Sequence, residues 1–267
     1  MNQLIKSFIP PILLNVIKRF RKRKYGWVGN YTSWESAQAD STGYDSSVVL
    51  EKVKNSLLKV KNGDAVFERD SVLFDEIQYS WPLLSSLLVS GFNHAELRVL
   101  DFGGSLGSTY FQYKKFLSLI ENVSWSVVEQ AGFVTVGKEL FEDEHLKFFY
   151  NIEECMAFQQ PNVLLFSSVL QYIDEPYKLL DKILASDIEF VAIDRMPFIY
   201  EDTDQIKVQI VPPWIYSASY PCWFFSHGKF IEYMSSRNYY LVESFKGLEG
   251  DVDGASFIGM LFKKHIA

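Results

Sequence analysis

The sequence predicts an α/β fold: a mostly parallel seven-stranded sheet, a terminal antiparallel hairpin strand and a helical amino-terminal arm. Three observations carry this. From residue 97 to about 237, short apolar runs alternate with segments of helical spacing, which is the pattern of βαβ units. The first run, VLDFGGSLGS (99–108), ends in glycines at 103, 104 and 107, as a strand does on entering a tight turn before a helix. The chain closes on two apolar runs with only a short Gly/Asp-rich turn between them, which reads as a hairpin.

The elements follow in order. Residues 4–24, LIKSFIPPILLNVIKRFRKRK, hold an apolar run that two prolines and Asn15 interrupt. It is too short to span a bilayer, which takes about 20 apolar residues. Its cations follow the apolar run instead of preceding it, so it is a poor secretory signal. A short helix from Pro11, followed by a basic patch from Lys18 to Lys24, suits an anionic membrane surface. A helix docked on the protein's own body is the alternative. Residues 25–47 read as an ordered loop or arm, 48–60 as helix, and 73–88 as helix kinked or broken at Pro82. Strands are expected at 97–104, 123–130, 146–152, 162–170 and 188–196, with helices at 109–120, 133–141 and 176–185 between them. An aromatic insertion at 205–227 precedes a helix at 229–237 and the closing strands at 239–247 and 255–264. This divides the chain into a basic apolar arm (1–24), a helical cap (25–95) and a cofactor-binding domain (96–267).

Composition narrows the function classes. The net charge of −7 is the sum of an arm at +7 and a body at −14, and an acidic body argues against a nucleic-acid groove. Two cysteines, Cys155 and Cys222, exclude a disulfide framework and a Cys-rich zinc site, and a reducing, cytoplasmic setting is the simpler reading. No metal-ligand spacing and no Gly-x-Ser-x-Gly elbow occur.

The glycine turn points to a nucleoside-type cofactor. Glycines let a ligand approach the backbone, and the following helix aims free N–H groups at it. Glu129 ends the second strand, 22 residues after Gly107, where an acid can accept both ribose hydroxyls. The dinucleotide pattern G-x-G-x-x-G fails at Ser105 and Ser108 from one starting glycine and at Leu106 from the other. The P-loop pattern also fails, since no Gly-Lys-Ser/Thr follows.

The stretch resembles the first motif of class I S-adenosylmethionine-dependent methyltransferases, roughly D-x-G-x-G-x-G. Asp101, Gly103 and Gly107 match it, and Ser105 replaces the middle glycine. LLFSSVLQYIDEP (164–176) is similar to the fourth-strand motif of these enzymes. YGWVGNY, GYD, FERD, DRMPF and SYPCWFFS resemble, more narrowly, a group of such enzymes encoded near bacterial surface-polysaccharide genes. The resemblance implies S-adenosylmethionine as cofactor. It implies a cofactor site at Asp101, Gly103, Gly104, Ser105, Gly107, Glu129 and Gln130. Asn151 and Ile152 stand beside the adenine or else in the core, and Ser167 and Ser168 stand near the methyl group. Three residues are candidates for catalysis. Gln171 stands where many relatives have a His base; it cannot take a proton at neutral pH, so it orients a ligand or merely starts a helix. Arg195 clamps a carboxylate or phosphate, or pairs with Asp194 or Glu201. His227, beside the aromatic insertion, is a base or a structural residue. The aromatics Trp214, Tyr216, Tyr220, Trp223, Phe224 and Phe225 floor a sugar site or form a packed lid.

The expected function is methyl transfer to an oxygen or nitrogen of a surface-glycan or related small precursor, in the cytoplasm or at the inner face of the membrane. The alternative is a non-catalytic methyltransferase-like module docked at the membrane in a glycan assembly complex. A nucleotide-sugar dehydrogenase would need the dinucleotide glycines.

Overall fold

The computed structural model describes residues 25–43, 46–92, 96–186, 188–252 and 254–265, so the basic arm lies outside the described residues. The first part of the chain forms β1 (Gly26–Tyr31), α1 (Trp34–Ala39), α2 (Ser46–Asn62), β2 (Phe67–Arg69), β3 (Val72–Phe74) and α3 (Trp81–Phe92). An alternating stretch follows: β4 (Leu97–Phe102), α4 (Ser108–Leu117), β5 (Val123–Val128), α5 (Ala131–Leu140), β6 (Leu146–Phe149), α6 (Ile152–Phe158) and β7 (Val163–Ser167). A 3-10 turn at Leu170–Tyr172 leads to α7 (Pro176–Leu184) and β8 (Phe190–Ile199). The chain ends with β9 (Gln205–Ile210), β10 (Ser219–Ser226), α8 (His227–Ser236), β11 (Tyr239–Val252) and β12 (Ala255–Lys264).

Seven strands lie in the order β6-β5-β4-β7-β8-β12-β11. The pairs among β4 to β8 are all parallel, while β12 runs antiparallel to both β8 and β11. Counted from β4, that is the order 3-2-1-4-5-7-6 with the last strand reversed. It is the class I methyltransferase fold, and the sheet-edge hairpin stands where the sequence put it.

Residue alternation explains the layering, because successive strand side chains point to opposite faces. Val99, Leu165 and Ala192 face one layer with Val53 and Leu57 of α2, Leu87 of α3 and Tyr113 of α4. Leu100, Leu164 and Val191 face the other with Leu180 and Ile183 of α7 and Phe230 of α8. Both faces are covered, so the central strands read as continuous apolar runs.

Three local readings differ from the structure. Residues 25–47 are not simply loop, since β1 pairs with β9 and α1 follows it behind a Ser33 capping box. The aromatic insertion is not a loop lid: β9 and β10 form an antiparallel pair, and with β1 they extend the sheet to ten strands. The junction is at the end of β8, which outruns β7; Phe198 and Ile199 there pair in parallel with Phe225 and Ser226. The helix expected from residue 73 starts only at Trp81, because β2 and β3 form a hairpin first. Asp70 and Ser71 make its two-residue turn with φ of 51° and 69°, the left-handed pair that such a turn demands. Pro82 then falls in the first turn of α3, where a missing N–H is harmless.

Candidate active site

The glycine turn sits at the carboxyl end of β4, the edge where open α/β sheets take ligands. Gly103 has φ of +69°, and a Cβ there would lie 2.3 Å from Val169 Cγ2. A Cβ on Gly104 would lie 2.4 Å from Asp101 Oδ2. A side chain at either position would therefore have to displace a neighbour. Ser105, which replaces a glycine, keeps a left-handed φ of 57°. The loop thus holds its shape at a cost of about 1–2 kcal/mol for an L-residue in that region.

Gly103, Gly104 and Ser105 line a cavity of about 510 Å³. Glu129 and Gln130 at the end of β5, Ser167 and Ser168 at the end of β7, and Arg195 on β8 line it too. So the structure brings together eight of the residues singled out from sequence. Glu129 is largely buried, which raises its carboxyl above the usual range, and one oxygen accepts the N–H of Gln130. Asp101 lies beneath the turn, fully buried, and does not line the cavity. Its Oδ2 accepts Trp125 Nε1 at 3.0 Å, its Oδ1 has no partner, and burial pushes it up to about 7.

Other candidates lie elsewhere. Gly107, with φ of +90°, starts α4 and faces Leu146 in the core. Asn151 caps α6, its Oδ1 accepting Glu154 N–H at 2.8 Å, and Ile152 is partly buried against the core. Gln171 is buried beside the cavity and does not line it; its Nε2 donates to Ser168 Oγ at 3.1 Å. His227 opens α8, stacked on Tyr200 at 5.4 Å and away from the cavity. Of the insertion's aromatics, Tyr216 and Tyr220 line the cavity. Phe224 and Phe225 are core, Trp223 stacks on Trp34, and Trp214 is exposed beside Tyr25.

The sequence reading missed the β2–β3 hairpin as a wall of the site. Glu68, Arg69 and Asp70 line the cavity. Glu68 is 1% exposed; it accepts Ser71 N–H at 2.6 Å and Ser108 Oγ–H at 2.7 Å. Burial pushes its carboxyl up to about 7. Arg195 is ion-paired, the alternative that its sequence context left open. Its Nη1 lies 3.3 Å from Asp70 and 3.2 Å from Glu249, and its Nε is 4.0 Å from Asp194. Glu201, the other partner considered, is not in this web. The FERD motif was visible, but nothing in its spacing tells that residue 70 meets residue 195.

Strain concentrates here. Among the described residues, six non-glycine positions have positive φ, and four of them (Asp70, Ser105, Ser168 and Arg195) line the cavity. Such conformations persist where the surroundings over-determine them, commonly at functional sites.

Three buried carboxyls with raised pKa make a stability prediction. Burial raises Glu68 and Asp101 to about 7 and Asp194 to about 6. Between the ordinary carboxyl range and those values, the native state binds more protons than the unfolded chain. Stability then falls as pH rises through this window and levels off above it. The thermal midpoint should be higher at about pH 5.5 than at about pH 7.5, and Glu68→Gln with Asp101→Asn should flatten the difference. A midpoint that rises across that window would contradict the assignment.

No protein-family model and no curated protein sequence matches the chain. Solved structures do resemble it. The N-terminal domain of EvdMO1, crystallised with SAH and D-fucose, aligns at 11% identity and a TM-score of 0.48, over 74% of this chain and 90% of that one. The 1,6-didemethyltoxoflavin-N1-methyltransferase of Burkholderia thailandensis aligns at 10% identity and 0.46, over 92% and 98%. Magnesium protoporphyrin IX methyltransferase from Synechocystis, with bound SAM, aligns at 10% identity and 0.45, over 69% and 79%. At these identities and scores the likenesses carry no chemistry to this chain, and its fold rests on its own strand order.

Proposed function

We propose that the chain is an S-adenosylmethionine-dependent methyltransferase acting on a surface-glycan precursor or a related small molecule. One observation carries the reading: on this strand order, the glycine turn, Glu129, the end of β7 and the middle of β8 converge on a single cavity. The donor set suits the cofactor. Glu129 would take the ribose hydroxyls, and the turn would admit the methionine end. Glu68, Asp70, Glu129 and Asp194 outnumber Arg69 and Arg195 in the lining, which favours a cation such as a sulfonium. The bound cofactor would supply an electrophilic methyl group; the protein's part is to align the acceptor with it and exclude water. Calorimetric titration with S-adenosylmethionine tests this. No binding at millimolar cofactor would sink it and leave the non-catalytic module.

We also propose that residues 1–24 hold the protein at an anionic membrane surface. The support is their sequence: seven cations, no acid and an adjacent apolar run. No helix among the described residues is long and apolar enough to cross a membrane. Removing residues 1–24 should abolish salt-sensitive sedimentation with phosphatidylserine vesicles and leave cofactor affinity intact. A truncated chain that loses its thermal transition would mark the arm as a structural element instead.

A further inference from the structure

We propose that Asp194 is the proton acceptor for an uncharged hydroxyl of the acceptor. This rests on the methyl-transfer reading.

The position of Asp194 is the first argument. It stands on β8 beside Ser167 of β7 in the sheet register, and its backbone oxygen accepts Ser168 N–H at 2.9 Å. Both serines and Asp194 line the cavity that the glycine turn also lines. Asp194 is 3% exposed, and its Oδ1 has no hydrogen-bond partner among the described residues. A buried carboxylate oxygen without a donor is costly, and a ligand that reached it with a donor would relieve that cost. A hydroxyl supplies one.

Chemistry makes the same demand. As the acceptor oxygen forms its bond to the methyl carbon, the S–CH₃ bond of the donor breaks and its electron pair stays on sulfur. The acceptor's O–H bond breaks, and the proton passes to Asp194 Oδ1. An amine has a free lone pair and can shed its proton after transfer, whereas an alcohol at neutral pH gains from a positioned base.

The surroundings set the charge. On its own strand Asp194 faces Arg195; from β11 it faces Glu249, from the β2–β3 hairpin Arg69, and from α4 Tyr113. Arg195 is committed to Asp70 and Glu249 as well as to Asp194, so one cation is shared among three acids. Arg69, which lines the same cavity and whose Nη1 has no hydrogen-bond partner among the described residues, is the second cation here, so three acids stand with two guanidiniums. The neighbouring wall is polar and uncharged. Tyr172 Oη donates to Gln209 Oε1 at 2.6 Å, Tyr216 and Tyr220 hydroxyls lie 3.3 Å apart, and the Tyr172 and Tyr220 rings meet edge-on at 5.2 Å. Rings and hydroxyls of this kind suit a sugar-like ring.

The test uses the full-length protein and methyl-labelled S-adenosylmethionine. Calorimetry first establishes cofactor binding; without it the methyl-transfer reading fails, and this inference with it. With binding established, two probe sets are compared: methyl glycosides of neutral hexoses, and the corresponding hexose phosphates, uronic acids and amino sugars. Labelled ether from the neutral set is expected. No product from that set, or product only from the charged set, overturns the inference and leaves cofactor binding standing. On the best neutral probe, Asp194→Asn should lower kcat about 100-fold or more with cofactor affinity unchanged. The native rate should climb with pH through an inflection near the carboxyl's raised value of about 6 and then level off, because only the ionised form accepts the proton. Asp194→Asn should lack that limb. A native profile without it overturns the role of Asp194, even if the variant does not fold, and so does an Asn variant of full activity.

Discussion

Gly103→Asp is expected to lose S-adenosylmethionine binding by more than about 100-fold, that is by about 3 kcal/mol or more, while the protein keeps a cooperative thermal transition. The position has φ of +69°, so any L-residue there carries about 1–2 kcal/mol of strain. The new Cβ would also meet Val169 Cγ2 at 2.3 Å. Val169 itself lines the cavity, so it can yield into open space and the core need not break. What fails is the site: the displaced valine, the carboxylate and the reshaped turn all intrude where the proposed cofactor's methionine end would lie against backbone. Gly107→Asp makes the contrast. That residue faces Leu146 in the core, with the Cβ position 3.0 Å from Leu146 Cδ2, so its variant should lose stability first. Titration calorimetry beside a thermal melt separates the two. Unchanged affinity in Gly103→Asp would remove this turn from the cofactor site.

Glu129→Ala should weaken S-adenosylmethionine and S-adenosylhomocysteine together, each by about 1.5–3 kcal/mol, the scale of hydrogen bonds to a charged group. The two ligands share the ribose and differ at sulfur, so parallel loss locates the contact at the sugar. Glu129 is positioned by the end of β5, whose ladder continues through Glu129 N–H to Phe149 O at 3.2 Å, and its carboxylate is held by Gln130 N–H. Partial burial makes the ionised carboxylate costly without a ligand, and two hydroxyl donors would offset that cost. An unchanged dissociation constant would move the ribose to another acid of the lining, and loss of the sulfonium ligand alone would mark Glu129 as a charge partner instead.

The parallel sheet and the glycine turn were legible in the sequence because they are local. Apolar runs such as VLLF report a strand buried on both faces, and glycines report a turn that no other residue tolerates. The acid at the end of the second strand is likewise a matter of spacing along the chain, which is why Glu129 and Gly103 meet in one cavity as expected. The spacing of 22 residues survives folding because a βαβ unit is compact and its strands are neighbours. Asn151 and Ile152, placed beside the adenine or else in the core, stand at a helix cap and partly buried against the core.

Tertiary structure alone decided the rest of the wall. Arg195 meets a residue 125 positions before it and another 54 after it, and no periodicity encodes contacts that distant. They exist because β8 outruns β7, which lets β10 dock on its end and leaves Arg195 between the β2–β3 hairpin and the end of β11. The hairpin was hard to read because three-residue strands show no period, and Asp-Ser is a weak signal for a turn that usually takes Asn-Gly. So the sequence by itself determined the glycine turn and the strand-end acid that meet in the cavity. Which charges line the rest of the cavity, and that Arg195 pairs with carboxylates, followed only from the fold, since a side chain's charge matters through its neighbours in space.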